Sequence, residues 1–301
     1  MSMLSVQNLQ KTYGKRQVLR GLNLHIKAGE IYGLLGPNGA GKTTTINIIC
    51  NLLQADRGTI YLDGQRLSDR TKPLLGVAPQ ENLLYKSLSC AENLDFFARL
   101  YGLTGKLKQK QVIASLAAVN LADRAGSVVE TLSGGMQRRL NIAVAIVHQP
   151  KLVILDEPTT GLDIEARYEI WDLIRHLKAQ GITILLTTHL LDEAERLCDR
   201  IGILKNGQIA AEGTLTQLRQ WVKAQEIVAI QTPDEKAAIA RATELGYPYR
   251  YYGPDLTFWL PEALELQQII TNFDGIALDS ISRQKVNLEH IYLEVTQNQR
   301  D

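Results

Sequence analysis

An α/β fold organised around a phosphate-binding loop is predicted by three stretches of the sequence. Gly36-Pro37-Asn38-Gly39-Ala40-Gly41-Lys42-Thr43 fits the pattern G-x-x-x-x-G-K-[ST], with an apolar strand reading from Glu30 to Leu35 before it and a helix from Thr43 to Leu53 after it. Leu152-Val153-Ile154-Leu155 is a continuous apolar run, as expected of a central parallel strand covered on both faces, and Ile182 to Leu186 reads the same way. Ordinary residue frequencies make a chance match to the loop pattern roughly a one per cent event in a chain of this length, so the loop is read as a nucleotide site.

The chemistry of the loop follows from its residue types. Polyphosphate is too dense in charge to be gripped by bulky side chains alone, so three glycines let backbone N–H groups curl round it. The next helix adds its unpaired N–H groups and the positive end of its dipole. Lys42 is expected to reach the β- and γ-phosphates, Thr43 to complete a Mg²⁺ shell and Thr44 to touch the phosphates beside it.

Ahead of the loop, Leu4 to Leu9 and Val18 to Ile26 alternate apolar with polar residues, the period of half-buried strands. Tyr13 falls between them in a predicted connecting loop, where its ring could stack on a purine or simply pack. Gly58 to Gly64 reads as a short hairpin strand ending in an Asp-Gly turn, and Val77-Ala78-Pro79-Gln80 ends another short apolar segment. From Ser89 to about Val147 the apolar residues recur at helical spacing, for example Leu94, Phe97, Ala98 and Tyr101, which predicts a helical insertion. Within it, Leu132-Ser133-Gly134-Gly135-Met136-Gln137 opens a helix running to about His148. A Ser-Gly-Gly start is usually only a cap, and the same groups can bind an anion.

The apolar run 152–155 ends abruptly at Asp156-Glu157-Pro158, at the end of a strand where open α/β sheets bind ligands. Asp156 suits a Mg²⁺ contact and Glu157 suits polarising a water. Gly161-Leu162-Asp163 precedes a predicted helix from Glu165 to Ala179. The strand from Ile182 leads to Thr187-Thr188-His189, which sets a histidine beside the presumed site.

The 301 residues, 45% hydrophobic and 22% charged, are enough for one large domain and a smaller one. A net charge of +1 gives no global reason to expect nucleic acid as a partner. Cys50, Cys90 and Cys198 are few, odd in number and far apart, which points to thiols in a reducing cytosol rather than a disulfide framework or a zinc site. The N-terminus lacks a secretion-signal pattern and no apolar run approaches the ~18 residues of a membrane span. The chain is therefore expected to be soluble, with any membrane role supplied by another polypeptide.

These pieces, in this order and spacing, resemble the nucleotide-binding subunit of an ATP-binding cassette (ABC) transporter over roughly residues 4 to 215. The resemblance implies a P-loop NTPase fold with an ABC-type β-subdomain and a helical insertion at about 81–149, all within a 1–215 ATPase domain, with 216–301 left as an accessory α+β domain. It also implies ATP and Mg²⁺ as ligands, a second ATPase subunit bound head to tail, most simply a homodimer, and a transmembrane permease subunit. Each ATP would then lie between the phosphate loop of one subunit and Ser133, Gly134 and Gly135 of the other. Glu157 would activate the attacking water, His189 would hold the γ-phosphate, Gln80 would contact Mg²⁺ or the water and sense the γ-phosphate, and Asp163 would reach across the interface. Tyr13 stands at the family's adenine-stacking position. The implied place of work is the cytoplasmic face of the cell membrane.

In the tail, Glu226 to Ile230, Leu256 to Leu260 and Ile276 to Ile281 read as strands, and Asp234 to Leu245, Glu262 to Asn272 and Asn287 to Val295 as helices. The closing segment 286–296 resembles the end of the ATPase subunits of drug-resistance and polysaccharide-type exporters, and reads equally as an amphipathic helix packing on its own domain. An exporter ATPase is the leading expectation. An importer ATPase, a soluble ABC-type ATPase acting on ribosomes or DNA, and a dimerisation module without turnover are the alternatives. Asn82 to Tyr85 and Leu88, just after Gln80, put several large apolar or aromatic residues in a predicted connecting loop. Singly they read equally as packing against the insertion's own helices, and as a cluster they could form a cleft for a cytoplasmic helix of the membrane subunit.

Overall fold

The structure, a computed structural model, describes residues 2–252 and 255–297. The chain divides between Thr214 and Leu215 into two units. In chain order the first contains β1 (Ser2–Tyr13), β2 (Arg16–Lys27), β3 (Ile31–Leu35), α1 (Lys42–Ile49), β4 (Arg57–Leu62), β5 (Gln65–Arg66), β6 (Leu75–Ala78), α2 (Cys90–Leu100), α3 (Gly105–Ala118), α4 (Gly134–Ile146), β7 (Leu152–Asp156), α5 (Ile164–Ala179), β8 (Thr183–Thr188), α6 (Leu191–Leu197), β9 (Arg200–Lys205) and β10 (Gln208–Gly213).

Six of these strands form one sheet in the order β10-β9-β3-β8-β7-β6, parallel except for the β9–β10 hairpin. Its central strands are apolar throughout because each face has its own core. Leu152, Ile154, Leu185, Tyr32 and Leu34 point into a cluster shared with β1, β2, β4 and α1. Val153, Leu155, Ile184, Leu186 and Ile31 point into the other, shared with α2 to α5. An alternation that puts both sets of side chains in oil erases the polar half of the strand pattern. Truncating any of these leucines or isoleucines to alanine is expected to cost about 2–5 kcal/mol. The antiparallel β2-β1-β4-β5 sheet closes over the first of the two cores.

Parallel strands have a functional consequence. The segments leaving β3, β6, β7 and β8 all emerge at the same edge of the sheet, and they carry the phosphate loop, Gln80, Glu157 and His189.

Several elements differ from the sequence expectation. Tyr13 is the last residue of β1, paired with Arg16 of β2 across a tight turn, and is not in a loop. The helix after the phosphate loop ends at Ile49, because Asn51 turns left-handed at φ 55° and the N–H groups of Leu52 and Leu53 fold back onto the Asn47 carbonyl. The apolar cluster after Gln80 is split: Leu83 is exposed and Tyr85 half exposed, whereas Leu84 turns inward onto the core beneath.

The second unit contains α7 (Leu215–Leu218), β11 (Glu226–Gln231), α8 (Glu235–Glu244), β12 (Tyr249–Tyr252), β13 (Asp255–Leu260), α9 (Leu266–Asn272), β14 (Ser280–Lys285) and α10 (Leu288–Gln297). The antiparallel order β12-β13-β11-β14 with a β-α-β-β-α-β succession is a split βαβ arrangement of the ferredoxin-like kind. Val228, Ile230, Leu256, Phe258 and Leu260 pack under α8 and α9. The sequence reading misses β12 and sets β14 too early. Both are edge strands with side chains largely in water, so they carry polar residues, while Ile276 and Leu278 are apolar because they tuck into the core as a loop.

Candidate functional site

The phosphate loop is shaped by its glycines. Gly39 and Gly41 have φ of 80° and 114°, where a side chain is strained. A Cβ on Gly41 would lie 2.8 Å from a methyl of Leu19, and one on Gly36 would lie 2.6 Å from the Leu204 carbonyl oxygen. Gly41 caps α1 and its carbonyl accepts from the Thr45 hydroxyl at 2.8 Å. Lys42, the first residue of α1, is buried and donates to the Gly36 carbonyl at 2.6 Å, closing the loop on itself. Burial lowers the Lys42 pKa below the ordinary lysine range, against the pull of Glu157 and Asp156.

Opposite Lys42 stands Glu157. Its backbone is left-handed at φ 47°, a conformation that costs a non-glycine residue roughly 1–2 kcal/mol. The strain is held by its N–H, which donates to the Thr187 carbonyl of β8 at 3.0 Å. One carboxylate oxygen lies 3.6 Å from Lys42 Nζ. The other lies 3.1 Å from His189 Nδ1 and accepts from Gln80 Nε2 at 3.2 Å and from Thr160 Oγ1 at 3.3 Å. Groups from β6, β7 and β8 thus converge on one carboxylate.

Asp156, one residue earlier, is half-buried and accepts a short hydrogen bond from the Thr187 hydroxyl. Burial raises its carboxyl above the usual range, offset by the Thr187 bond and by Lys42 and Arg138. The Gln80 segment is fixed from α4. The buried Arg138 guanidinium donates to the Pro79 and Gln80 carbonyls at 2.8 and 2.6 Å, and Asn141 adds a bond to Pro79 at 3.1 Å.

A cavity of about 590 Å³ opens over these groups, lined by Arg16 and Val18, Pro37 to Gly39, Gly41 to Thr44, and Gln80, Glu157, Thr160 and His189. Gly36 and Ala40 lie behind its wall, both buried. Tyr13, Asp156, Ser133, Gly134, Gly135 and Asp163 do not line it. Tyr13 is half exposed, with the Lys11 ammonium 5.8 Å from its ring centre. Ser133 caps α4, accepting from the Met136 N–H at 3.2 Å, and is exposed with Gly134. Gly135 is buried, where a Cβ would lie 2.9 Å from that of Ala166 on α5. Asp163 caps α5, accepting from the Ala166 N–H at 2.8 Å.

Sequence reasoning misses Arg16, Val18 and Thr160 in the cavity wall, and Thr187 and Arg138 behind it. Thr187 and Thr160 stand next to motif residues, so adjacency is a usable signal for them. Arg138 acts across 58 residues of chain, and no local pattern announces that contact.

A phosphate loop at the end of a parallel sheet, with a carboxylate, glutamine and histidine facing its lysine, defines a P-loop ATP-binding domain. The sequence pattern described as ABC transporter matches residues 19–160. The chain is 36% identical to the linearmycin resistance ATP-binding protein LnrL of Bacillus subtilis over 98% of both chains. It is 37% identical to the Nod factor export ATP-binding protein I of Burkholderia lata over 97% of this chain and 96% of that one. Among solved structures, an ATP-binding subunit of an ABC transporter superposes with a TM-score of 0.65 at 36% identity, covering 72% of this chain and 92% of that one. A dimeric ATP-binding cassette in a post-hydrolysis state, bound to ADP and phosphate, gives 0.63 at 30% identity, covering 70% and 98%. The chain belongs to the ABC transporter family as an ATP-binding subunit, and it is an ATPase.

Proposed function

We propose that two ATP-binding subunits, most simply two copies of this chain, pair head to tail, clamp ATP between them and hydrolyse it to drive a separate transmembrane permease in export. The observation that carries the pairing is a mismatch within one chain. The cavity gathers Lys42, Gln80, Glu157 and His189, yet exposed Ser133 and Gly134, a second helix start suited to an anion, lie outside it. A two-fold pair brings the Ser133 helix of one copy to the cavity of the other, so that both anion sites serve one nucleotide. The dimeric relative bound to ADP and phosphate supports this reading.

In that pair, Lys42 and the loop N–H groups neutralise the β- and γ-phosphates. Glu157 polarises the attacking water, and His189 holds the γ-phosphate as its charge develops. Ser133, Gly134 and Gly135 grip the same phosphate from the partner's side, Asp163 reaches across the interface, and Tyr13 stacks on the adenine. Thr43, Gln80 and Asp156 would hold Mg²⁺, which when bound offsets phosphate charge. A sparse set of hard oxygen donors, with no cluster of three His, Cys, Asp or Glu among the described residues, suits an ion that keeps water and phosphate in its shell. Removing the γ-phosphate removes the bridge between the copies, so hydrolysis opens the clamp.

Export is supported by the relatives, named for Nod factor export and linearmycin resistance. No helix among the described residues is long and apolar enough to cross a membrane. In this reading the permease is a separate polypeptide, and this chain works at its cytoplasmic face. A mixing experiment tests the shared site. Ser133→Arg blocks the half that serves the partner, and Lys42→Ala blocks the half that serves the chain itself. Each variant alone should be inactive, and an equimolar mixture should regain turnover from one intact site per mixed dimer. A mixture as inactive as its parts would overturn the shared site.

A further inference from the structure

Glu193 of α6 is a carboxylate with no solvent exposure, and the charge that acts on it is another carboxylate, Asp192, rather than a cation. Isolated buried carboxylates are costly, so its bonds need an account. One oxygen, Oε1, accepts from the Thr159 hydroxyl at 2.7 Å and from the Trp171 indole N–H at 3.1 Å. The other makes no hydrogen bond of good geometry. Burial raises its carboxyl above the usual range, opposed by the hydroxyls of Thr188 and Thr159 and by Trp171.

What matters is where these partners sit. Thr159 is fully buried between Glu157 and Thr160, and Thr160 is itself bonded to the Glu157 carboxylate. Thr188 ends β8 directly before His189, and its hydroxyl accepts from the Leu190 N–H at 2.9 Å, fixing the turn into α6. Trp171 belongs to α5, which opens at Asp163. A single buried carboxyl therefore ties the segment that carries Glu157 to the helix that follows His189. Nearer the sheet the same two segments are also joined by the Thr187 hydroxyl, which bonds Asp156 and the Glu157 N–H, and by the contact of Glu157 with His189; the Glu193 carboxyl adds a tie beyond them, on the α6 side.

We propose that Glu193 is a positioning residue for ATP hydrolysis, setting the spacing of Glu157 and His189 by anchoring Thr159 against α6. The proposal rests on the reading of Glu157 and His189 as the hydrolytic pair. Side-chain placement errors of an ångström cost rate without touching the groups that hold the nucleotide, so the loss belongs in kcat.

The test uses the full chain. Glu193→Leu keeps the volume and removes the acceptor, and it should lower kcat about 10- to 100-fold with KM and the ATP dissociation constant within about twofold of wild type. Glu193→Gln keeps the acceptor at the same place and should recover most of the loss. Thr159→Val cuts the same bond from the other side, so the double variant should be no slower than the slower single one. A Glu193→Leu chain with wild-type kcat overturns the proposal. So does a loss in which kcat, ATP affinity and melting temperature fall together and glutamine recovers none of them. Glu157→Gln run alongside separates the two readings: if it turns over normally, the assignment of the hydrolytic pair fails, whereas an inactive Glu157→Gln beside a fully active Glu193→Leu sinks only the role of Glu193.

Discussion

His189 Nδ1 lies 3.1 Å from Glu157 Oε2, although the two residues end different strands and stand on loops of their own. The parallel pairing of β7 with β8 makes this meeting unavoidable, because Asp156 is in register with Thr187 and the next residues leave the sheet side by side. The site is therefore a property of strand order, and each of its groups can be probed separately.

Lys42→Ala should abolish ATP turnover and weaken ATP binding by about 1.5–3 kcal/mol, the range of a hydrogen bond to a charged group. The variant also removes the Lys42 bond to the Gly36 carbonyl, while Gly39 and Gly41 keep the positive φ that lets the N–H groups face the phosphates. Titration with a fluorescent ATP analogue reads the change. Wild-type affinity in the variant would show that the loop N–H groups alone hold the phosphates.

Tyr13→Ala should weaken nucleotide binding by ~1 kcal/mol, the worth of an aromatic contact, and leave the melting temperature nearly unchanged because the ring is half exposed. An unaltered dissociation constant would return the residue to a strand-end role beside Lys11.

Leu83 and Leu84 are adjacent and should behave differently. Leu83→Asp alters an exposed side chain, so ATP binding and stability should hold while co-purification with the membrane subunit fails. Leu84→Asp puts a charge against the core of the helical segment and should lower the melting temperature directly. Normal assembly of the Leu83→Asp chain would move the docking surface away from this segment.

In the second unit, burial lowers His290 from the ordinary 6.5 to about 4. Its Nδ1 accepts from the Asn287 N–H at 3.2 Å, a bond only the neutral ring can make. With the folded pKa depressed, the unfolded chain takes up the proton first. Stability is then full above pH 6.5 and falls as the pH drops towards 4, by on the order of 3 kcal/mol. Hydrogen exchange of the β11 and β13 amides, compared at pH 7 and 4.5, should show wild type losing protection that His290→Gln does not lose. Equal losses in both chains would assign the acid sensitivity to other groups.

The sequence makes the centre of the first unit legible because β7 and β8 are buried on both faces and their apolar runs are unbroken. The phosphate loop is legible for a different reason: its chemistry is local, and eight consecutive residues carry it. The edges of the second unit are not legible. The Tyr-Arg-Tyr-Tyr run of β12 and the Ser-Ile-Ser-Arg-Gln-Lys run of β14 face water, and their pairing partners lie far along the chain. The same holds for the supports of the site. Arg138 reaches Gln80 and Glu193 reaches Thr159 through contacts that only the folded topology creates.

The central claim is that ATP joins two chains and that Glu157 is needed to cleave it. Glu157→Gln keeps the side chain's shape and removes the base, so nucleotide should bind without being consumed and stabilise the pair by mass action. Size exclusion with light scattering measures this directly. The account predicts a dimer of the Glu157→Gln chain with ATP and Mg²⁺ that reverts to monomer with ADP, while a chain that stays monomeric in saturating ATP and Mg²⁺ would contradict it.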